Sequence, residues 1–227
     1  ANLTLIEGRT GWIVVDTLTS RETAEAAMAF ARQHLGNKPV SAVVFTHSHV
    51  DHFGGALGVL PADEAKARQV PVVAPAGFME EATSENLLVG TAMARRSMYQ
   101  FGKNLTPGPK GIVDTGLGKN VSYGAIGILE PTQLINKPTQ ELVLDGVRFV
   151  GTTLWTDYDA IALLDEQVQA GDMGRLLRLR EKSFRAANFY LRKTGATRDG
   201  EPFLAEQVRT QALLCQQWLR DALARPH

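Results

Sequence analysis

A strand-like run of residues leads the chain directly into a cluster of histidines, and this junction constrains the fold more than any other feature of the sequence. Residues 40–46 (VSAVVFT) are rich in β-branched side chains, as expected of a strand buried in a sheet. Three of the five histidines, His47, His49 and His52, follow directly. The glycine pair at 54–55 then permits a tight turn of the backbone. The sequence therefore predicts a loop of metal-binding side chains at the end of a buried strand.

The spacing within this loop (residues 46–55, THSHVDHFGG) suits one or two metal ions. Side chains two apart in an extended segment point the same way, so His47 and His49 can reach one ion together. Asp51 and His52 are adjacent and can point toward a second ion at the turn into the next helix. Imidazole and carboxylate ligands favour zinc, while iron and manganese also match this ligand type. Solvated loop histidines are the alternative interpretation, which the clustering disfavours.

Hydrophobic periodicity predicts the remaining strands and helices. A capping box of Thr19 and Glu22 predicts the start of a helix that ends at Gly36. The dipeptide Asp145-Gly146 predicts a hairpin of strands 141–144 and 147–150. Further strands are predicted at 3–6, 12–16 and 70–74, and helices at 20–35, 54–60, 61–68, 78–100 with a break near Gly90, 160–170, 174–193 and 204–223.

The alternation of strands and helices indicates an α/β layered fold. Residues 102–127 contain seven glycines and two prolines, which predicts an irregular surface segment that lines a cleft. Beyond Gly151 the predicted structure is mostly helical. We therefore predict two regions, a metal-binding region over residues 1–150 and a helical C-terminal region over residues 151–227.

Composition argues against several classes of protein. Lys plus Arg and Asp plus Glu both number 24, so the formal net charge is zero and nucleic-acid binding has no compositional support. No apolar run is long enough to span a bilayer, so no transmembrane segment is expected. The single Cys215 can form neither an intramolecular disulfide nor a cysteine metal cluster.

A basic segment over residues 175–193 suggests an anionic partner, a membrane surface or a solvated helix face, and the sequence favours the solvated face. The apolar side of this helix is expected to consist of Leu176, Leu177, Leu179, Phe184 and Phe189.

The motif THSHVDHFGG is similar to the T-H-x-H-x-D-H-x-G-G signature of the metallo-β-lactamase superfamily, whose fold is an αββα sandwich with a binuclear site at one edge. More specifically, residues 1–150 resemble the bacterial alkyl sulfatases of that superfamily. This resemblance covers NLTLIEGRTGWIVVDTLTS, THSHVDHFGG, EEATSENLLVGTAMARRSMYQFG and PTQLINKPTQELVLDGVRFV. It implies an α/β, metallo-β-lactamase-like αββα sandwich, formed in whole or in part, followed by a mostly helical C-terminal third.

The resemblance also implies a reaction. The alkyl sulfatases hydrolyse dodecyl sulfate at two zinc ions and hold the alkyl tail in a hydrophobic groove. By resemblance, His47 and His49 bind the first zinc, and Asp51 and His52 bind the second, with Asp51 also in the catalytic centre. Tyr123 is expected either to contact the sulfate group or to be a packed loop residue. The implied partner is a small-molecule alkyl sulfate, the implied location is the bacterial periplasm or the medium, and a homodimer is left open.

The resemblance to the alkyl sulfatases stops after the hairpin. Those enzymes continue with a T-P-G-T-E-x-P stretch, a further glutamate and a later histidine that complete the metal shells, and this sequence lacks those motifs. No histidine lies between His52 and His227, so further ligands must be carboxylates, water or another chain, and the loop alone could hold one zinc. Residues 147–227 resemble, more weakly, an internal stretch of calcineurin-like metallophosphoesterases that carries none of that family's metal motifs.

Three functional hypotheses follow from these observations. The first is zinc-dependent hydrolysis of primary alkyl sulfates. The second is another hydrolysis on the same metal chemistry, acting on phosphate esters, thioesters or lactones, because a fold does not determine a substrate. The third is a metal-binding module without catalytic activity, which the missing downstream ligands favour.

Overall fold

The computed structural model describes residues 1–116 and 118–225, which form two compact units. Unit 1 contains Ala1–Asn136 and Val143–Val147. Unit 2 contains Lys137–Leu142 and the described residues from Arg148 onward. The division at residue 150 stays a prediction, and His227, the last histidine of the sequence, lies outside the described residues.

Unit 1 is built on one sheet. Its strands are β1 (Thr4–Glu7), β2 (Trp12–Val15), β3 (Val40–Val44), β4 (Val72–Pro75) and β5 (Gln133–Ile135). They lie in the order β1-β2-β3-β4-β5, with β1 antiparallel to β2 and each later pair parallel. The first four strands agree with the predicted strands, and β1 and β2 pair as an antiparallel hairpin. The short β5, in which two of the three residues are exposed, was not predicted because its alternation is too brief to recognise.

The core of unit 1 lies on both faces of this sheet. Ile13 and Val14 are adjacent and both fully buried, although neighbouring strand residues point to opposite faces. Burial on both faces explains why these strands are continuous apolar runs. Phe45 stacks on Phe78 with ring centroids 5.0 Å apart, which joins the end of β3 to the helix that begins at Phe78.

The helices of unit 1 follow the predicted segments with different boundaries. They are α1 (Arg21–Leu35), α2 (Val50–Phe53), α3 (Ala56–Val59), α4 (Ala62–Ala67), α5 (Phe78–Thr83) and α6 (Gly90–Phe101), with a π-helical turn at Ser84–Leu88. The predicted break near Gly90 is confirmed, whereas the predicted helix 54–60 starts earlier and is interrupted at the glycine pair. Residues 102–127 are irregular, as predicted, in the part that the structure describes.

The predicted capping box of α1 is wrong by one residue. Ser20 is the N-cap, and its side chain accepts from the Thr23 amide while the Thr23 hydroxyl bonds back to Ser20. The Glu22 carboxylate instead accepts from the amide of Ala125, in the irregular segment, at 3.0 Å. The prediction therefore places a capping box at the start of α1 correctly, but the residues that form it are Ser20 and Thr23 instead of Thr19 and Glu22.

The predicted hairpin around Asp145-Gly146 is confirmed and longer than expected. It consists of β6 (Thr139–Leu144) and β7 (Val147–Thr152). Asp145 and Gly146 have φ of 44° and 82°, the two positive values that a type I′ turn requires.

Unit 2 is mostly helical. Its further elements are α7 (Ala160–Leu164), α8 (Glu166–Gln169), α9 (Met173–Thr194), β8 (Thr197–Arg198), β9 (Glu201–Pro202) and α10 (Ala205–Ala224). The predicted single helix 160–170 is split at Asp165, whose carboxylate accepts from the amides of Gln167 and Val168 and so competes with helical hydrogen bonds.

Two further observations concern the helices. Leu177 and Phe189 were expected on the apolar side of α9, but they are 56% and 63% exposed, so this prediction is wrong. Among residues 1–116 and 118–225, no helix combines the length and the apolar character needed to cross a bilayer.

Candidate metal centre

The histidine loop lies at the carboxyl end of β3, next to the carboxyl end of β2. The Asp16 amide donates to the Val44 carbonyl at 2.9 Å, which continues the pairing of the two strands. The Thr17 amide donates to the His52 carbonyl at 2.7 Å, which ties the far end of the loop to the same place. The loop is therefore held at both ends by backbone that follows β2.

The glycine pair permits this close approach. A Cβ on Gly54 would lie 2.1 Å from the Thr19 carbonyl oxygen, and one on Gly55 would lie 2.1 Å from the Thr17 carbonyl oxygen. Real Cβ atoms do not approach backbone oxygens so closely, since that distance is far inside van der Waals contact. Any larger residue here would push the loop away from β2.

Asp16 is the buried carboxylate under the loop. It is 2% exposed, and its Oδ1 accepts from the Thr46 amide at 2.9 Å. Its Oδ2 lies 2.8 Å from the Thr46 hydroxyl and 2.6 Å from His52 Nδ1. Asp16 has φ of 56°, a conformation that Asp and Asn tolerate better than most residues. A buried carboxylate with these three donors has the hydrogen bonds that burial of charge requires.

These contacts assign the ring nitrogens of two histidines. The Thr46 hydroxyl donates to Asp16, so its oxygen is free to accept from His47 Nδ1, which lies 2.9 Å away. His52 donates from Nδ1 to Asp16 in the same way. A neutral ring that donates from Nδ1 keeps its lone pair on Nε2. His47 and His52 therefore each present Nε2 as the nitrogen available to a ligand.

His49 completes the arrangement. Its Nδ1 lies 3.2 Å from His47 Nε2, and its Nε2 lies 3.9 Å from the Glu85 carboxylate at the π-helical turn. Glu85 lies on the Nε2 side of the His49 ring, so His49 Nδ1 faces His47 Nε2. Two lone pairs at this distance would repel each other, so the two nitrogens must share either a proton or a cation. The His47 ring is 4.1 Å from that of His52 and 4.7 Å from that of His49, between centroids. The structure thus brings all three predicted histidines together.

Asp51 lies beside this group. Its Oδ2 is 3.4 Å from His52 Nε2, and its side chain is 41% exposed. Burial is the largest cause that lowers the pKa of His47 below its usual value, and electrostatic coupling to His52 and His49 lowers it further. His47 is therefore neutral near pH 7, which is the form that binds metal.

The donor set fits zinc in kind and in pairwise spacing. Two ligand atoms about 2.05 Å from one tetrahedral zinc lie about 3.3 Å apart. The His47–His49 nitrogen pair, at 3.2 Å, and the Asp51–His52 pair, at 3.4 Å, both match that separation. In the described part of the chain, however, no set of three His, Cys, Asp or Glu side chains is arranged around one point as a complete metal site.

Tyr123 lies apart from this group. Its side chain is 61% exposed, and its ring is 5.1 Å from the Lys103 ammonium. Within residues 1–116 and 118–225, no hydrogen bond or ring contact joins it to the histidine loop. Its expected contact with a sulfate group stays a prediction.

Sequence reasoning missed two residues of this centre. Asp16 could have been found, because it ends an apolar strand, WIVVD, and a carboxylate buried there needs hydrogen-bond partners. Glu85 had none, since only the π-helical turn brings it near His49 from a distant part of the chain.

The comparisons with known proteins agree with this geometry. The family model of the metallo-beta-lactamase superfamily matches residues 1–136, which include every side chain described above. The chain therefore belongs to the metallo-β-lactamase superfamily.

Several proteins similar to this chain are alkyl sulfatases. An alkyl/aryl-sulfatase from Saccharomyces cerevisiae is 46% identical over 150 residues, or 66% of this chain and 23% of the relative. An (R)-specific secondary-alkylsulfatase from Pseudomonas sp. is 50% identical over 148 residues, or 65% of this chain and 22% of the relative. The solved structure of a stereoselective inverting sec-alkylsulfatase from Pseudomonas sp. matches with a TM-score of 0.63 at 47% identity, over 69% of this chain and 25% of that one.

The predicted α/β metallo-β-lactamase fold class and the similarity to alkyl sulfatases are thereby confirmed. The chain spans less than a quarter of the length of these two relatives. The weaker resemblance of residues 147–227 to calcineurin-like metallophosphoesterases stays a prediction.

Proposed function

We propose that this chain carries the metal-binding part of a zinc-dependent hydrolase that cleaves sulfate esters of primary alkyl alcohols. The observation that carries the proposal is the hydrogen bonding behind the loop, which occupies Nδ1 of His47 and of His52. Their Nε2 atoms are thereby turned toward His49 Nδ1 and Asp51 Oδ2, respectively. The identity to alkyl sulfatases supports the substrate class.

His47 Nε2 and His49 Nδ1 would hold one zinc, and Asp51 Oδ2 and His52 Nε2 would hold a second. Zinc at these positions would supply Lewis acidity toward a sulfate oxygen and a water of lowered pKa. Asp16 keeps His47 and His52 in the required tautomers, His47 through Thr46 and His52 directly. Asp51 is proposed as the catalytic carboxylate because it lies at the exposed side of the group.

The first experiment is the zinc content of purified protein, with His49→Ala as the variant and His34→Ala as the matched control. His34 is an exposed histidine on α1 whose ring contacts Phe30, outside the loop. We expect up to two zinc ions per chain, reduced in His49→Ala and unchanged in His34→Ala. Equal zinc in all three proteins, or none in any, would refute the proposed centre.

The second experiment concerns the substrate. Zinc-loaded protein is assayed with a primary alkyl sulfate, a secondary alkyl sulfate of the same length and a phosphate monoester. Turnover of the primary sulfate supports the proposal, and Tyr123→Phe should then raise KM if Tyr123 contacts the sulfate. Turnover of the phosphate ester alone would instead support another metallohydrolase.

A metal-binding module without catalytic activity is the second candidate. The pairs of donors described above leave each ion with open positions that no third side chain in the described residues fills. Another chain is one source of further ligands, so a homodimer is part of this proposal. Full zinc loading without hydrolysis of any of the three esters would establish this alternative.

A further inference from the structure

The solvent-facing side of α9 is strongly basic. The helix carries seven Lys or Arg side chains and a single acidic one, Glu181, although the whole chain has equal numbers of acidic and basic residues. Charge is therefore concentrated on this element rather than spread over the surface.

Only part of this charge is neutralised within unit 2. Arg175 pairs with Asp165 and Arg180 pairs with Asp159, and both ion pairs point toward α7 and α8. Arg185 is 3.7 Å from Glu181. For the remaining cations of the helix, no carboxylate of the described residues is within ion-pair distance. These cations are Arg178, Lys182, Arg192 and Lys193, all of them exposed.

The aromatic ring of Phe189 lies among these basic side chains. Phe189 is 63% exposed, and it follows Lys182 by seven residues and Arg185 by four, which places the three on one helix face. A shallow groove of about 580 Å³ beside the ring is lined by Arg185, Asn188, Phe189, Arg192 and Lys193. On the same helix Leu176, Leu179 and Phe184 are half-buried, whereas Phe189 is mostly exposed.

We propose that this face, defined by Arg178, Lys182, Arg185, Phe189, Arg192 and Lys193, docks on an anionic phospholipid surface. From Arg178 to Lys193 the face extends over about 22 Å of a single helix, which suits a flat partner. Basic side chains are attracted to anionic headgroups, and an exposed phenylalanine among them can enter the headgroup–acyl boundary. The inference is independent of the proposed sulfate-ester hydrolysis.

The test is co-sedimentation with vesicles of phosphatidylglycerol and phosphatidylcholine in equal parts, against vesicles of phosphatidylcholine alone. The charge variant is Arg178→Glu with Lys182→Glu. Its matched control is Lys66→Glu with Lys110→Glu, which makes the same change of charge at exposed positions outside α9. Phe189→Ser tests the aromatic contribution, and circular dichroism checks that every variant keeps its helices.

We expect binding to the anionic vesicles only, weakened at least about 20-fold in the charge variant and about fivefold in Phe189→Ser, with the control unchanged. Binding should also fall steeply as the salt concentration is raised. Absence of binding to anionic vesicles overturns the proposal, as does equal loss in the charge variant and its control. Binding to a DNA duplex in preference to vesicles would assign the face to a nucleic acid instead.

Discussion

At the scale of single residues, one buried carboxylate organises the histidine loop. Asp16 contacts Thr46 and His52 directly and reaches His47 through the Thr46 hydroxyl. Asp16 therefore determines which ring nitrogen of His47 and of His52 carries the proton. Its own side chain is buried below the loop. Partners of this kind orient metal ligands and raise their basicity.

Replacing Asp16 with Asn should weaken zinc binding by about 10- to 100-fold while the fold is kept. Asn has nearly the same shape and also tolerates a positive φ, so the change removes the charge without straining the backbone. The neutral amide accepts a weaker hydrogen bond from His52 Nδ1 than the carboxylate does. The His52 tautomer with its proton on Nδ1, which leaves the lone pair on Nε2, is then less favoured. Competition with a chromophoric chelator measures the zinc affinity.

Asp63→Asn is the control for this experiment, because Asp63 is an exposed carboxylate in α4. Unchanged affinity in Asp16→Asn, with circular dichroism like that of the parent, would show that Asp16 only stabilises the loop.

The ligand candidates could be predicted from the sequence because they lie within one short loop, where spacing alone fixes which side chains can meet. Their hydrogen-bond partners could not. Asp16 and Glu85 reach the loop from the end of β2 and from the π-helical turn. The sequence marks Asp16 as a carboxylate that ends an apolar strand, but it does not show which side chains Asp16 or Glu85 meets. The same limit applies to Phe189, whose place on the helix face depends on how α9 packs.

At the scale of elements, the β6–β7 turn is bound to the β1–β2 turn within unit 1. The Asp145 carboxylate accepts from the Thr10 amide at 2.9 Å and from the Gly11 amide at 3.0 Å. Burial alone would raise the pKa of Asp145, but hydrogen bonds from Thr10 and Gly11 outweigh it and lower the pKa below its usual value. The ionised side chain therefore stabilises the contact between the two turns.

Asp145→Asn should lower the free energy of unfolding at pH 7 by about 1 kcal/mol, since charge-assisted hydrogen bonds are lost and the site is partly exposed. A lowered carboxylate pKa means that this stability is present above the unfolded pKa, near 4, and is lost as the pH falls through the folded value. Urea unfolding should therefore separate the two proteins at pH 7 and not at about pH 2. A difference that persists at the lower pH would assign the effect to packing.

Strands and long helices could be predicted from the sequence because their signals are periodic, as in β2, β3 and α10. The exceptions have identifiable causes. Asp165 splits a predicted helix by bonding to its amides, and the cap of α1 shifts because the irregular segment recruits Glu22. In both cases a side-chain hydrogen bond outweighs the local pattern.

At the scale of the whole molecule, the two units differ in how much apolar surface they bury. Unit 1 buries large side chains that include Trp12, Met28, Phe45, Phe53 and Phe78. The buried apolar side chains of unit 2, among the described residues, are small, and they are Ala205, Val208, Ala212, Cys215 and Ala222. Because stability scales with buried apolar area, unit 2 should open at a lower free-energy cost than unit 1.

Cys215 provides a reporter for this difference. It is the single cysteine of the chain, is 1% exposed and lies in α10. We expect a thiol reagent to label it slowly in buffer and rapidly at urea concentrations where amides of β2 and β3 are still protected from hydrogen exchange. Labelling that appears only when β2 and β3 exchange would mean that the units unfold together.

The two glycines of the loop, Gly54 and Gly55, have a consequence for experiments that read function from pools of variants. Since neither position has room for a methyl group, almost every substitution there should be depleted as strongly as substitutions of the histidines. The two kinds of depletion would have different origins, because histidine variants should accumulate in the cell at normal levels and glycine variants should not. A mutational scan that records abundance beside activity would therefore separate the residues that touch the metal from those that only make room for them.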